Sequence, residues 1–202
     1  EGYIHLYPPY TIILPNISKL IVSTYLLEMV AFSFPNLLEL GNLSQHNVDT
    51  NWRFDHTNTL PNLVSLLTNF RMSSEECSVM ALRPSLENLR CLPQPYYSET
   101  QRVLVSDNLK SLQISYSYAK LNMKSLTRLK IDLCEVFDLS GCPSLLDLSF
   151  NAPATNTQAI IDSLNKSAIE NLDIFCSSAV CDNTLKLANM SRLQSLSITC
   201  PS

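Results

Sequence analysis

The stretch LTRLKI at residues 126–131 decides the fold of this chain, because its spacing of leucine-x-x-leucine-x-apolar recurs nine times. Successive copies lie seventeen to twenty-six residues apart, a period typical of repeat proteins. Seven copies are complete, and two carry Asn42 or Thr68 at the final position. The copies begin at Ile17, Leu37, Leu63, Leu86, Leu109, Leu126, Leu145, Ile169 and Leu193.

Each copy predicts a short strand, because its second leucine and its final apolar residue alternate with polar neighbours. Leu129 and Ile131 are therefore expected to point inward, and Arg128 and Lys130 outward. The first leucine of each copy turns into the core from the preceding loop. Strands of this kind stack in parallel, so we predict a solenoid with one shared core over residues 1–202.

The spacers between the copies predict short helices on the convex side of this coil. We interpret residues 73–81, 157–165 and 183–188 as helices, whereas the spacers after Leu109 and Leu126 are short enough to require extended or irregular turns. Prolines before several copies turn the chain into the next strand. The predicted fold class is α/β, with a parallel sheet on the concave side and short helices and irregular turns on the convex side.

The composition excludes several classes of protein. The 202 residues are 46% hydrophobic and carry a net charge of -4, which suits one continuous core and does not suit a disordered chain. The mild acidity argues against binding to nucleic acid, which requires a basic face. The chain has no run of eighteen apolar residues, so no membrane span is expected. Because it starts at Glu1 without a leader, we expect a piece of a longer chain.

Seven cysteines occur in the sequence. Their number is odd and no Cys-x-x-Cys pair occurs, so they predict neither a zinc site nor a complete disulfide framework. Reduced, structural thiols in a cytoplasmic or nuclear protein are the preferred interpretation. A secreted protein stays open as an alternative because Asn-x-Ser sequons stand at Asn16, Asn42, Asn165 and Asn189.

Sequence patterns of catalysis are missing. Three glycines cannot build a glycine-rich phosphate loop, and the Gly-x-Ser-x-Gly pattern of a nucleophile elbow does not occur. His46 and His56 stand on either side of Trp52 in the long loop 42–59, where we interpret them as solvated side chains and not as metal ligands. We therefore predict no catalytic residue, cofactor or metal, and no enzymatic activity. The loops 42–59 and 92–106 are long enough to have a function of their own.

Candidate binding residues lie at outward positions of the predicted sheet. Cations, carboxylates and exposed apolar groups occur together there, as in protein-binding hot spots. In the alternative interpretation, Arg128 pairs with Asp147 and Lys130 with Asp173 across neighbouring strands, and such exposed pairs contribute only about 0–1 kcal/mol. The candidate partner-binding residues are Arg90, Arg128, Lys130, Asp147, Asp173 and Phe175.

Over essentially its whole length the repeat pattern resembles the leucine-rich-repeat family. The stretch 142–148, which reads Cys-Pro-Ser-Leu-Leu-Asp-Leu, resembles the cysteine-containing repeats of F-box proteins, and Cys134 and Cys176 follow predicted strands as in that subclass. The resemblance implies that the concave face binds a protein substrate for a ubiquitin ligase. A missing upstream F-box would then bind a Skp1-type adaptor.

Other functions remain open at this point. A structural subunit of a stable assembly, of the kinetochore, replisome or RNA-export type, would show the same repeats with its convex side or loops covered by partners. A secreted recognition domain would carry glycans at its sequons. Residues 198–202 offer no polar cap, so we expect another segment or another chain to shield the last repeat.

Overall fold

The computed structural model describes residues 11–13, 15–22, 31–33, 35–42, 60–72, 74–93, 103–114, 120–132, 138–152, 168–176 and 190–199. Within these ranges the chain forms fourteen strands and one helix, α1 (Ser74–Ala81). The strands are β1 (Thr11–Ile13), β2 (Lys19–Val22), β3 (Ala31–Ser33), β4 (Glu39–Asn42), β5 (Ser65–Met72), β6 (Asn88–Pro93), β7 (Val103–Ser106), β8 (Ser111–Ile114), β9 (Lys120–Met123), β10 (Arg128–Ile131), β11 (Asp138–Gly141), β12 (Asp147–Ala152), β13 (Asn171–Cys176) and β14 (Ser195–Thr199).

Nine of these strands form the main sheet, and each contains the second anchor of one sequence repeat. All neighbouring pairs are parallel, and the order β2-β4-β5-β6-β8-β10-β12-β13-β14 follows the chain. The prediction of a parallel-sheet solenoid is therefore confirmed. The second anchors stand opposite one another from strand to strand, in the file Leu20, Leu40, Leu66, Leu89, Leu112, Leu129, Leu148, Leu172 and Leu196.

Backbone hydrogen bonds fix this register just before each strand begins. The carbonyl oxygen of Thr127 accepts the N–H groups of both Leu146 and Asp147, at 3.0 and 2.9 Å. The same bifurcated contact joins Leu146 to the next repeat, where its carbonyl oxygen accepts from Glu170 and Asn171. Because side chains alternate along a strand, a slip of one residue would turn every buried anchor outward.

The core lies behind the main sheet and consists of the repeated anchors. First anchors such as Leu126 and Leu145 are fully buried, as are second anchors from β4 to β13. Burial of a leucine side chain contributes roughly 1.5–3 kcal/mol, so the file of anchors is the main source of stability. On the last strand, β14, Leu196 and Ile198 are about half exposed, at 45% and 47%.

A tight turn precedes most repeats, as the prolines predicted. The N–H of the first anchor donates to the carbonyl oxygen three residues earlier; Leu145 donates to Cys142 at 3.3 Å, with Pro143 at the turn position that favours a fixed φ. The residue at the start of this turn is usually apolar and buried. Arg83 is an exception because it is charged. It is nevertheless buried, and its Nη1 donates to the Leu60 carbonyl oxygen at 3.0 Å. Burial lowers the pKa of its guanidinium.

The return path of the coil contains more strand than the sequence predicted. β7, β9 and β11 form a separate three-stranded parallel sheet, and β1 pairs with β3. Extended structure was predicted for the two short spacers after Leu109 and Leu126, and it is observed there as β9 and β11. β7 replaces part of the loop expected over 92–106, and its Leu104 is buried together with Leu121 of β9. In β7 and β9 buried residues alternate with more exposed ones.

Helix is scarce in the described ranges. α1 agrees with the helix predicted over 73–81, while the segments 157–165 and 183–188 lie outside the described residues. The predicted α/β class with short helices along the convex side is therefore not confirmed: what is observed is a parallel-sheet solenoid with almost no helix. None of the described segments is a helix of the length and apolar character needed to cross a bilayer.

Gly141 at the end of β11 and Cys142 after it show how closely the second sheet is packed. A Cβ atom on Gly141 would lie 2.8 Å from the Cα of Asn122 and would collide with the Leu121 carbonyl oxygen, so only glycine fits there. The next residue, Cys142, is a buried free thiol whose Sγ contacts that same oxygen at 3.8 Å. Burial raises the pKa of Cys142 to about 11.

Candidate functional site

Two rows of outward side chains cross the main sheet from strand to strand. The first row is set by the opening residue of each strand and the second row by the residue two positions later, because alternate residues share a face. The first row contains Arg128, opposite Ser111 on one side and Asp147 on the other. The second row contains Lys130, opposite Gln113 and Ser149.

The two rows line an open groove where they cross β8, β10, β12, β13 and β14. Its volume is about 570 Å³, and we call it the sheet groove. The lining side chains are hydroxyl, amide and charged groups, supported from below by the buried leucines of the same strands. Four of the six predicted contacts line it, namely Arg128, Lys130, Asp147 and Asp173.

In the first row, three polar side chains from neighbouring strands contact one another. Arg128 Nε lies 3.5 Å from Asp147 Oδ2, and Asn171 Nδ2 donates to Asp147 Oδ1 at 2.5 Å. Three neighbouring strands thus contribute one cation, one carboxylate and one amide to a single network. The pairing of Arg128 with Asp147 that the sequence suggested is confirmed, and it leaves both oxygens of Asp147 occupied.

Where the second row lines the groove, it contains two charged residues, Lys130 and Asp173, that form no ion pair among the described residues. The pairing of Lys130 with Asp173 across neighbouring strands is wrong, because Ser149 on β12 stands between them in register. Among the described residues Lys130 forms no ion pair. Asp173 Oδ1 is buried and has no hydrogen-bond partner there. A buried polar oxygen left unpaired costs about 1–3 kcal/mol, so this position is held at the expense of stability.

The other two predicted contacts lie beside the groove and do not line it. Arg90 is exposed on β6 in the second row, separated from Lys130 by Gln113 of β8. Phe175 lies on β13, two residues beyond Asp173, with 39% of its surface exposed. The six residues therefore share one face of the sheet, but only four form one site. The tyrosines at 96, 97, 116 and 118 and all three histidines lie outside the described residues.

A second surface, which the sequence did not reveal, lies on α1 and β7. Val79 is exposed on α1 and Leu82 directly after it, and Val103 and Val105 are exposed on β7, the strand that α1 contacts. We call these four residues the back patch. Because residues 103–105 are all apolar, the sequence does not indicate which of them are exposed. In the described ranges, no three histidine, cysteine, aspartate or glutamate side chains form a cluster that could hold a metal ion.

Comparisons with known proteins identify no relative. No protein-family model matches the chain, and no curated protein and no solved structure matches it either.

Proposed function

We propose that this chain is a protein-recognition module of the leucine-rich-repeat type, which binds a protein partner in the sheet groove. The observation that carries the proposal is the second row of the groove, where Lys130 and Asp173 belong to the lining and form no ion pair among the described residues. Charges held on a rigid sheet without internal compensation are suited to recognition of a complementary surface.

The remaining lining supports binding to a polypeptide. Ser111, Gln113, Ser149 and Asn171 place hydroxyl and amide groups on neighbouring strands, where they can donate to and accept from a peptide backbone. Arg128, Phe175 and Arg90 add residue types that are enriched at protein interfaces. We propose binding and not catalysis, because the described lining offers hydroxyls and fixed charges but no histidine or cysteine beside them.

More finely, we propose that the module is the substrate-binding part of an F-box-type ubiquitin ligase receptor. The support is the resemblance of residues 142–148 to the cysteine-containing repeats of that class, together with the position of Cys142, buried at the turn just before Leu145. The full-length protein would then bind a Skp1-type adaptor through an upstream F-box. Purified adaptor mixed with the full-length protein tests this refinement: absence of a complex rules out the receptor role and leaves the recognition module untouched.

Photo-crosslinking tests the recognition module. A photoreactive amino acid at position 113 should capture a partner from inside the groove, and the double reversal Arg128→Glu with Lys130→Glu should reduce this capture at least tenfold, about 1.4 kcal/mol. The melting temperature should change by no more than a few degrees, because both side chains are exposed. The control Lys110→Glu with Lys124→Glu changes the net charge equally outside the groove and should leave capture intact. Equal loss in both double variants contradicts the proposal.

A second candidate is a structural subunit of a stable assembly, and the back patch favours it. The four exposed apolar side chains of the back patch lie on or next to two elements in contact, α1 and β7, where a permanent partner could cover them. Here the complex should survive high salt and should be disrupted by Val105→Asp, whereas Arg128→Gln, which changes the net charge by the same amount inside the groove, should leave it intact. Salt-sensitive binding that depends on Arg128 and Lys130 but not on Val105 contradicts the assembly role.

A further inference from the structure

The first row of the sheet groove already uses its carboxylate. Asp147 accepts from Asn171 on one oxygen and faces Arg128 on the other, at 2.5 and 3.5 Å. Arg128 itself is 73% exposed and can still contact a partner. The charged side chains of the groove that form no ion pair among the described residues lie in the second row.

In the second row a cation and a carboxylate face the groove with one strand between them. Lys130 lies on β10 and Asp173 on β13, each opposite Ser149 of β12. Neighbouring strands are about 4.8 Å apart, so the two backbones are separated by about 10 Å. Ser149 places a hydroxyl between the two charges and supplies no charge of its own. Within the described ranges neither group forms an ion pair, so a partner that bridged them would displace no existing salt bridge.

The chemistry of such a partner follows from what each group lacks. Lys130 has three N–H donors and no carboxylate beside it, whereas the half-buried Asp173 belongs to the groove lining and has no cation beside it among the described residues. In an extended segment alternate side chains point the same way and lie about 6.6 Å apart. The backbones of β10 and β13 are farther apart than two such side chains of the partner. The lysine side chain and the partner's own side chains are long enough to cover this difference across β12.

We infer, given the proposed function, that the sheet groove selects extended segments with an acidic and a basic side chain two residues apart. The acidic side chain binds Lys130, and the basic side chain donates to Asp173. The segment crosses the strands from β10 to β13, and the hydroxyl and amide groups of Ser149, Gln113 and Asn171 hydrogen-bond its backbone. Phe175, beside Asp173, increases affinity for a neighbouring apolar residue without selecting charge.

A library of random heptapeptides displayed on phage tests this inference with the full chain as bait. Wild type should enrich peptides with an acidic and a basic residue at spacing two. Lys130→Glu should replace the acidic preference with a basic one, and Asp173→Asn should remove the basic preference. Lys124→Glu and Asp107→Asn, which alter an exposed ion pair outside the groove, are matched controls and should select the same peptides as wild type.

A selected peptide then gives a quantitative measurement. Its Kd by fluorescence anisotropy should rise at least about tenfold for Lys130→Glu and Asp173→Asn, the range expected for one close charge pair, and not for either control. Lys130→Gln serves as a milder variant if the reversal impairs folding, and it should weaken binding without reversing the preference.

The outcomes separate this inference from the proposed function. Enriched peptides without the charge spacing, no enrichment, or the same charge preference in Lys130→Glu as in wild type overturn the inference. If crosslinking from position 113 still captures a protein in those cases, the recognition role stands and only the charge rule fails. If position 113 captures nothing and the charge-spaced peptides are absent as well, both fail.

Discussion

Arg128 Nε lies 3.5 Å from Asp147 Oδ2, and the two residues stand directly opposite each other on β10 and β12. The arginine side chain is 73% exposed, so water and salt screen most of the attraction. We expect a double-mutant cycle with Arg128→Ala and Asp147→Ala to give a coupling energy below about 1 kcal/mol, measured by urea denaturation. A coupling above about 2 kcal/mol would show that this pair stabilises the fold and is not free to serve binding.

Leu148→Ala should reduce the free energy of unfolding by about 2–5 kcal/mol through loss of apolar burial and formation of a cavity. The matched control is Leu196→Ala, since Leu196 occupies the same repeat position on β14 but is 45% exposed, against 2% for Leu148. That change should cost less than about 1 kcal/mol. Similar costs for both variants would mean that the last strand is covered in solution, and denaturation with urea distinguishes the two cases.

Gly141→Ala should destabilise the chain by about 1–3 kcal/mol, since the new methyl group would overlap the backbone of β9 at Leu121 and Asn122. Gly41→Ala is the control, because its nearest contact would be Ile21 Cγ1 at an ordinary 3.6 Å. This second change should be neutral or stabilising by up to about 1 kcal/mol. Thermal denaturation compares them, and equal effects would refute the close approach of β11 to β9.

Cys142 should not react with thiol reagents in the native protein at pH 8, because it is buried and its pKa is raised to about 11. The folded state favours the neutral thiol over the thiolate. The stabilisation from burying this thiol is therefore complete below its ordinary pKa of 9.0, and it is lost as the pH rises towards 11. Peptide mapping by mass spectrometry measures the labelling.

The matched variant for this thiol is Cys142→Ala, which removes the titrating group. Its stability should decline less between pH 9 and 11 than that of the unchanged protein. Rapid labelling of Cys142 without denaturant, or identical alkaline profiles for the two proteins, would contradict the burial.

The main sheet could be predicted because its signal is repeated. Leu112, Leu129 and Leu148 recur with the same local pattern, so the strand, its inward face and its place in the stack all follow from spacing. The second sheet is less visible since each of its strands has only one or two buried residues, such as Leu104 or Leu121. Nothing in four residues distinguishes such a strand from a loop until its neighbours are known.

The sequence predicted four residues that line the groove, but it predicted only one of their two suggested ion pairs correctly. Arg128 and Asp147 belong to consecutive repeats, so their pairing follows from repeat order. Lys130 and Asp173 belong to repeats separated by another, and counting the strands would have excluded them as neighbours. The orphaned oxygen of Asp173 depends on side-chain packing across three strands, which no spacing in the sequence encodes.

The unbroken file of second anchors from Leu20 to Leu196 has a consequence for how this molecule can change in length. Each unit accepts the same pair of backbone hydrogen bonds from the next unit. Removal of one whole unit, for example residues 126–144, would therefore leave the remaining second anchors in register. A cut of any other size would put polar side chains where leucines belong. The architecture thus accommodates the insertion or deletion of whole repeats. Each such change alters the distance between binding residues on different strands by one strand spacing.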